Sequence, residues 1–75
     1  MPSLNTVPPH QVVRIVALGD ESPLQQRLME MGLLPGTKVR VVRLAPLGDP
    51  IDLEVRGFHL SLRKSEAQTI EVEAI

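Results

Sequence analysis

The sequence contains no cysteine, no tryptophan and no tyrosine, and Phe58 is its one aromatic residue. Without cysteine, no disulfide can stabilise the fold and no thiolate can bind a metal. With a single aromatic ring, the chain has almost nothing on which nucleic-acid bases could stack. The 75 residues are 43% hydrophobic, so we expect one small domain over residues 1–75 with a core of Val, Leu and Ile.

An excess of positive charge is also missing. Eight Lys and Arg face nine Asp and Glu, which gives a formal net charge of −1. Nucleic-acid-binding modules usually carry a clear basic excess, so we expect no nucleic-acid partner. No apolar run approaches the roughly 20 residues that cross a bilayer, and the first residues lack the pattern of a secretory signal. These absences predict a cytoplasmic protein without membrane insertion.

Alternating apolar residues predict five short strands. Residues 1–10 hold three prolines and should form a lead-in that Leu4 and Val7 pin to the body. Val42 falls out of phase with its neighbours, which indicates a bulge. The first strand is apolar on both faces and should be covered on both. The predicted strands are residues 12–18, 37–44, 51–56, 58–62 and 70–73.

One short helix is predicted after the first strand, over Pro23–Met31. Ser22 can cap its start, with Gln25 completing a capping box. Gly32 should end the helix in the left-handed conformation, with Leu33 packing back on the last turn. Residues 64–67 are predicted to form a helical turn or a loop.

Turn residues separate these elements. Residues 19–21 should break the first strand, residues 34–37 fit a type II turn, and residues 45–50 fit a loop. A turn at residues 56–57 would place Phe58 on the inner face and would set these pairs of residues opposite each other: Val55 and Phe58, Leu53 and Leu60, and Glu54 and His59. Five strands in hairpins with one short helix predict a mainly β fold, a small, partly open antiparallel barrel.

The residues offer no set for catalysis. A nucleophile needs a base within hydrogen-bond reach, and only His59 and Ser61 lie close together, on an exposed strand face. The glycines are spaced as turns rather than as a phosphate-binding loop. We therefore expect neither enzymatic activity nor a bound cofactor.

The outer face of the sheet supports two interpretations. Asp52, Glu54 and His59 could converge there, and imidazole with carboxylates can hold a divalent first-row metal. The alternative is a solvated charged face with a Glu54–His59 pair. Lys38, Arg40 and Arg43 could similarly form a phosphate-binding stripe, or a strand face balanced by Asp52 and Glu54.

A helix end and two loops carry apolar residues that predict a protein-binding surface, because exposed apolar patches mark such sites. Leu28 fits either the core or this surface. Bulky apolar side chains on loops and a polar neighbour are typical of a contact site. The residues predicted to contact a partner are Leu28, Met29, Leu33, Leu47 and Asp49.

Residues 28–36, Leu-Met-Glu-Met-Gly-Leu-Leu-Pro-Gly, followed by the Ala-Pro-Leu-Gly-Asp-Pro loop at 45–50, resemble the core signature of the FeoA family. That family comprises small cytoplasmic proteins of bacterial ferrous iron uptake. The resemblance extends from about Leu4 to Ala74, although the family commonly has a turn glycine where this chain has His10.

The resemblance implies an SH3-like barrel with a helical segment after the first strand and no known catalytic residues. It also implies a partner, the cytoplasmic GTP-binding domain of the FeoB membrane transporter, through which the protein would associate with the membrane. A metal-responsive module remains the alternative function. An exposed sheet edge would in addition allow a homo-oligomer.

Overall fold

Five antiparallel strands and two helices form the fold in the computed structural model, which describes residues 2–19, 22–44, 46–47 and 49–75. The breaks expected at Asp20 and Glu21, and the loop positions Ala45 and Gly48, lie outside the described residues. A short 3-10 turn at Leu4–Thr6 comes first. The elements then follow as β1 (Val12–Ala17), α1 (Pro23–Glu30), β2 (Lys38–Leu44), β3 (Ile51–Val55), β4 (Phe58–Leu62), α2 (Lys64–Ala67) and β5 (Glu71–Ala74).

The strands form one antiparallel sheet in the order β4-β3-β2-β1-β5. The lead-in covers the outer edge of β5, since the amide of Val72 donates to the carbonyl of Pro2 at 2.9 Å and that of Leu4 donates to Ile70 at 2.8 Å. Among the described residues, β4 pairs with β3 on one side and has no strand on its outer side. This arrangement confirms the predicted partly open barrel.

Two register shifts bend the sheet. One lies between Val41 and Arg43, which confirms the bulge predicted at Val42. The other lies between Ile15 and Ala17 in β1. A bulge increases local twist, which lets a small sheet curl over its own core. The expectation that β1 is covered on both faces is wrong, because Val12 on its outer face is 40% exposed.

The core is built from aliphatic side chains alone, as the composition predicts. The inner faces of all five strands contribute, together with the lead-in, α1 and the segments that follow α1 and α2. Leu4 and Val7 are buried, so the lead-in is anchored as predicted. The buried apolar residues are Leu4, Val7, Val13, Ile15, Leu18, Leu28, Leu33, Val39, Val41, Ile51, Leu53, Val55, Leu62, Ala67, Ile70 and Val72.

Helix α1 begins where the sequence indicates. The hydroxyl of Ser22 accepts a hydrogen bond from the amide of Gln25 at 3.1 Å, and Pro23 occupies the first turn. The Gln25 side chain does not complete the predicted capping box by bonding the cap residue. It donates instead to the carbonyl of Gly19 at 3.4 Å, which ties the helix to the end of the first strand.

The C-terminal end of α1 positions the first candidate site residues. Gly32 has φ +95°, and its amide donates to the Met29 carbonyl at 3.0 Å. The amide of Leu33 donates to the Leu28 carbonyl at 3.1 Å. These two bonds form a Schellman motif, in which the residue after the glycine packs against the last helical turn. Leu28 and Leu33 are thereby directed into the core.

The turns have the predicted chemistry. The amide of Thr37 donates to the Leu34 carbonyl at 3.0 Å, closing the turn at residues 34–37. Arg56 has φ 51° and Gly57 has φ 85°, as in a type I′ hairpin turn. His10 reaches φ 74° without being glycine, and its amide donates to the Val41 carbonyl at 2.6 Å.

Candidate functional site

The outer face of the sheet carries two rows of polar side chains that run across β2, β3 and β4. In the first row, Arg40 Nη2 lies 2.9 Å from Glu54 Oε1, and Glu54 Oε2 lies 3.4 Å from His59 Nε2. This confirms the predicted opposition of Glu54 and His59. In the second row, Asp52 accepts hydrogen bonds from Arg43 Nε at 2.8 Å and from Ser61 Oγ at 2.5 Å.

These rows do not bring the three candidate metal ligands, Asp52, Glu54 and His59, together into one site. Asp52 belongs to one row, and Glu54 and His59 belong to the other. Within the described part of the chain, no three His, Asp or Glu side chains lie together as a metal site would require. The arrangement matches the alternative interpretation, a charged face with a Glu54–His59 pair.

The hydrogen bonds to Asp52 act on its protonation. The Ser61 hydroxyl, and after it the Arg43 guanidinium, stabilise the carboxylate and lower the pKa of Asp52 below its ordinary value. Ser61 donates to this carboxylate, so its hydroxyl is not directed to His59 as a nucleophile would be toward its base.

Of the three cations on β2 that were expected to be balanced by Asp52 and Glu54, two form ion pairs with these carboxylates. Arg40 pairs with Glu54 and Arg43 pairs with Asp52. Lys38 is exposed and is in no ion pair within residues 2–19, 22–44, 46–47 and 49–75.

The predicted partner contacts separate into buried and exposed residues. Leu28 and Leu33 are both 0% exposed, so their side chains belong to the core and cannot touch a partner. The Schellman motif buries both, which corrects that part of the prediction. Met29 is 41% exposed and Leu47 is 92% exposed, so both have the accessibility that a contact needs.

Asp49 has a structural partner of its own. Its carboxylate accepts a hydrogen bond from the amide of Lys64 at 2.9 Å, which joins the loop before β3 to the start of α2. Glu66 accepts from the amide of Arg63 at 2.8 Å and also forms an ion pair with Arg27 of α1. A cleft lies among these groups, lined by Arg27, Asp49, Pro50, Ser61, Leu62, Arg63 and Glu66.

Phe58 is an exposed apolar residue that the sequence does not reveal. Its register opposite Val55 is as predicted, but it is 45% exposed rather than buried. A methyl group placed on Gly32 would lie 3.7 Å from Phe58 Cζ, so the ring lies over the end of α1. The sequence signal that could have identified its exposure is its position at the start of a strand, directly after the hairpin turn.

Neither of the helices among the described residues is long and apolar enough to cross a membrane.

Solved structures with the same fold carry related sequences. An FeoA-like protein from Clostridium acetobutylicum is 42% identical, with a TM-score of 0.91 over 97% of this chain and 85% of that one. FeoA from Stenotrophomonas maltophilia, solved with zinc and described as a prokaryotic SH3 domain protein, is 28% identical. Its TM-score is 0.86, over 97% of this chain and 91% of that one.

A much longer relative also contains a similar segment. The Fe(2+) transport protein A/Fe(2+) transporter FeoB fusion protein of Porphyromonas gingivalis is 38% identical over 61 residues. The matched segment is 81% of this chain but only 7% of that relative. The family model described as the FeoA domain matches residues 3–74, almost the whole sequence. The chain therefore belongs to the FeoA domain family.

Proposed function

We propose that this protein is a non-catalytic accessory module of ferrous iron uptake. It acts by binding the cytoplasmic GTP-binding domain of a FeoB-type membrane transporter, in the cytoplasm and at the membrane through that transporter. The observation that carries the proposal is the Porphyromonas gingivalis relative, in which an FeoA segment and an FeoB transporter share one polypeptide. Covalent linkage keeps two modules at high effective concentration, which favours a pair that works in contact.

The exposed residues near α1 and the loop before β3 fit a protein partner. Met29 and Leu47 offer exposed apolar side chains as anchors. Arg27 and Asp49, each two residues along the chain from one of these anchors, supply polar groups. Apolar anchors inside a polar rim are the usual composition of a protein–protein interface. A divalent metal finds no comparable set of ligands in the described residues.

The direct test is a calorimetric titration of this protein into the isolated GTP-binding domain. The domain is loaded in turn with GDP and with a non-hydrolysable GTP analogue. We expect binding whose affinity depends on the nucleotide, as a regulatory subunit requires. Absence of heat in both nucleotide states would count against the GTP-binding domain as the partner.

Leu47→Arg should weaken that complex at least about tenfold, which corresponds to roughly 1.4 kcal/mol. The side chain is 92% exposed, so its replacement should leave the fold intact while placing a charge at an apolar contact. Ile75→Arg is the matched control, because Ile75 is also exposed, at 60%, and lies at the chain end. Equal affinity of the Leu47→Arg variant and the wild type, with unchanged circular dichroism, would remove Leu47 from the interface.

A further inference from the structure

Two basic residues lie side by side at one end of the sheet, and we call them the cationic corner. Lys38 is the first residue of β2, and Arg56 follows the last residue of β3. The ladder between these strands ends at the pair Val39–Val55, so the next position on each strand is one of the two cations. Both side chains line the same two shallow clefts, one beside the turn at residues 34–37 and one beside Val12.

The surrounding acids are already used. Glu54 lines the cleft beside Val12, and its carboxylate is shared by Arg40 at 2.9 Å and His59 at 3.4 Å. Arg14, which faces Lys38 across the β1–β2 ladder, pairs with Glu73 at 3.4 Å. In the part of the chain that the structure describes, no carboxylate forms an ion pair with either residue of the cationic corner. The corner is thus a local positive site on a chain of net charge −1.

The backbone at Arg56 gives an independent indication. Arg56 is the first central residue of a type I′ turn and has φ 51°. That position strongly prefers Asn, Asp or Gly, because a longer L-residue is disfavoured in the left-handed region. An arginine held there against its conformational preference points to a use for its side chain.

We propose that the cationic corner binds a short acidic segment of a partner protein. The Arg56 guanidinium can hold a carboxylate through two parallel hydrogen bonds, and the Lys38 ammonium supplies a second charge. Leu34 and Pro35 line the same cleft and offer apolar contact to the rest of the segment.

A protein segment fits this site better than other polyanions do. Recognition of anionic lipid surfaces typically draws on clusters of about 4–8 Lys and Arg. Nucleic-acid binding likewise needs several uncompensated cations. The cationic corner offers two. It also lies at the opposite end of β3 from Leu47, so this site goes beyond the contact proposed for the GTP-binding domain.

The test is a nuclear magnetic resonance titration of the isotope-labelled protein with an acetylated, amidated hexaglutamate peptide. We expect amide shifts at residues 37–40 and 56–57, and weaker binding as salt is raised, because the charges are exposed. A parallel arm uses vesicles of phosphatidylserine and phosphatidylcholine. No shift at these amides, or equally strong binding to the vesicles, would overturn the proposal.

Arg56→Asn separates a binding role from a structural one. Asparagine suits the turn better than arginine, so this variant should unfold at a temperature equal to or above that of the wild type. It should nevertheless bind hexaglutamate about three- to fivefold more weakly, as should Lys38→Gln. Lys64→Gln, which removes an exposed cation on α2, is the charge-matched control and should bind like the wild type. Full affinity in a stable Arg56→Asn protein would contradict the proposal.

Discussion

Asp52 lies on the outer face of β3, where two neighbours act on its carboxylate. The Ser61 hydroxyl donates to one oxygen and the Arg43 guanidinium to the other. Both favour the ionised form, so the pKa of Asp52 lies below its unfolded value. A lowered pKa in the folded state means that this group stabilises the fold above the unfolded pKa, near about 4, and that the contribution is lost as the pH falls through the folded pKa.

Ser61→Ala should raise the pKa of Asp52, because it removes the hydrogen bond that is the largest single cause of the lowered value. The measurement is a carbon-13 titration of the Asp52 carboxyl group by nuclear magnetic resonance. Ser65→Ala serves as the control, since Ser65 is exposed on α2 and away from this row. An unchanged titration curve in Ser61→Ala would mean that Arg43 alone holds the carboxylate ionised.

Leu28 and Met29 are adjacent, yet they should respond very differently to truncation. Leu28→Ala should lower the free energy of unfolding by about 2–5 kcal/mol, because it leaves a cavity under α1. Met29→Ala, at a side chain that is 41% exposed, should change it by less than about 1 kcal/mol. Urea denaturation of both variants makes the comparison. Similar losses in the two would contradict the burial of Leu28 and the exposure of Met29.

Sequence pattern separates these two residues only in part. Helical spacing puts Leu28 on the apolar face and Met29 beside it, which predicts their relative exposure correctly. The burial of Leu33 is harder to predict, because Leu33 lies in a turn and its burial depends on the direction of the backbone after the end of α1. The hydrogen bond from its amide to the Leu28 carbonyl determines that direction, and only the folded backbone reveals it.

At the level of the elements, the β3–β4 hairpin is the part that the sequence predicts best. Its two-residue turn and strict alternation leave one register, and all its predicted pairs occur. The exposure of Phe58 could not be predicted in the same way. The alternation of apolar and polar residues predicts which side of the sheet a side chain lies on. How completely that side chain is covered depends on the elements packed over it, which the alternation does not show.

The spacing of residues on the outer face of the sheet explains why Asp52, Glu54 and His59 do not form one metal site. Residues two apart on a strand point to the same side but are separated by about 6.6 Å along it. Asp52 and Glu54 therefore fall into different rows, and an arginine from β2 occupies each. The sequence predicts that the three candidate ligands lie on one face of the sheet. It does not predict that Arg40, Arg43 and Ser61 bind their carboxylates.

The end of α1 depends on Gly32, whose φ of +95° is disfavoured for any residue with a Cβ atom. Gly32→Ala should lower the free energy of unfolding by about 1–2 kcal/mol. The backbone accounts for this loss, because the added methyl group would meet Phe58 at an ordinary 3.7 Å. Thermal unfolding measures it, with Gln26→Ala on the exposed side of α1 as the control. A Gly32→Ala protein as stable as the wild type would show that the helix can end in another way.

At the scale of the whole molecule, the lead-in is an integral part of the sheet. The sequence predicts that Leu4 and Val7 anchor it, and both are buried. Its backbone pairs with β5, which brings together residues from near the two ends of the sequence. One example is the hydrogen bond from the amide of Val72 to the carbonyl of Pro2. Local sequence patterns do not indicate which distant segments pair. The sequence therefore does not predict that the lead-in pairs with β5, or that β5 pairs with β1.

The two surfaces proposed to bind other proteins differ in their chemistry, and Leu47 and Arg56 lie at opposite ends of β3. One contains Met29 and Leu47 and depends on apolar burial, so its binding should tolerate salt. Binding at the cationic corner depends on exposed charges, so it should weaken as the salt concentration rises. Salt dependence can therefore tell which surface a given partner uses.

Helix α2 spans only four residues, yet both segments that carry the apolar anchors are attached to it. Asp49 holds the Leu47 segment to the amide of Lys64, and Arg27 holds α1 to Glu66. Helix α2 is thus a common point of attachment for α1 and for the segment that carries Leu47. If Met29 and Leu47 bind a partner as proposed, a change in α2 that breaks these two attachments should weaken both contacts at once.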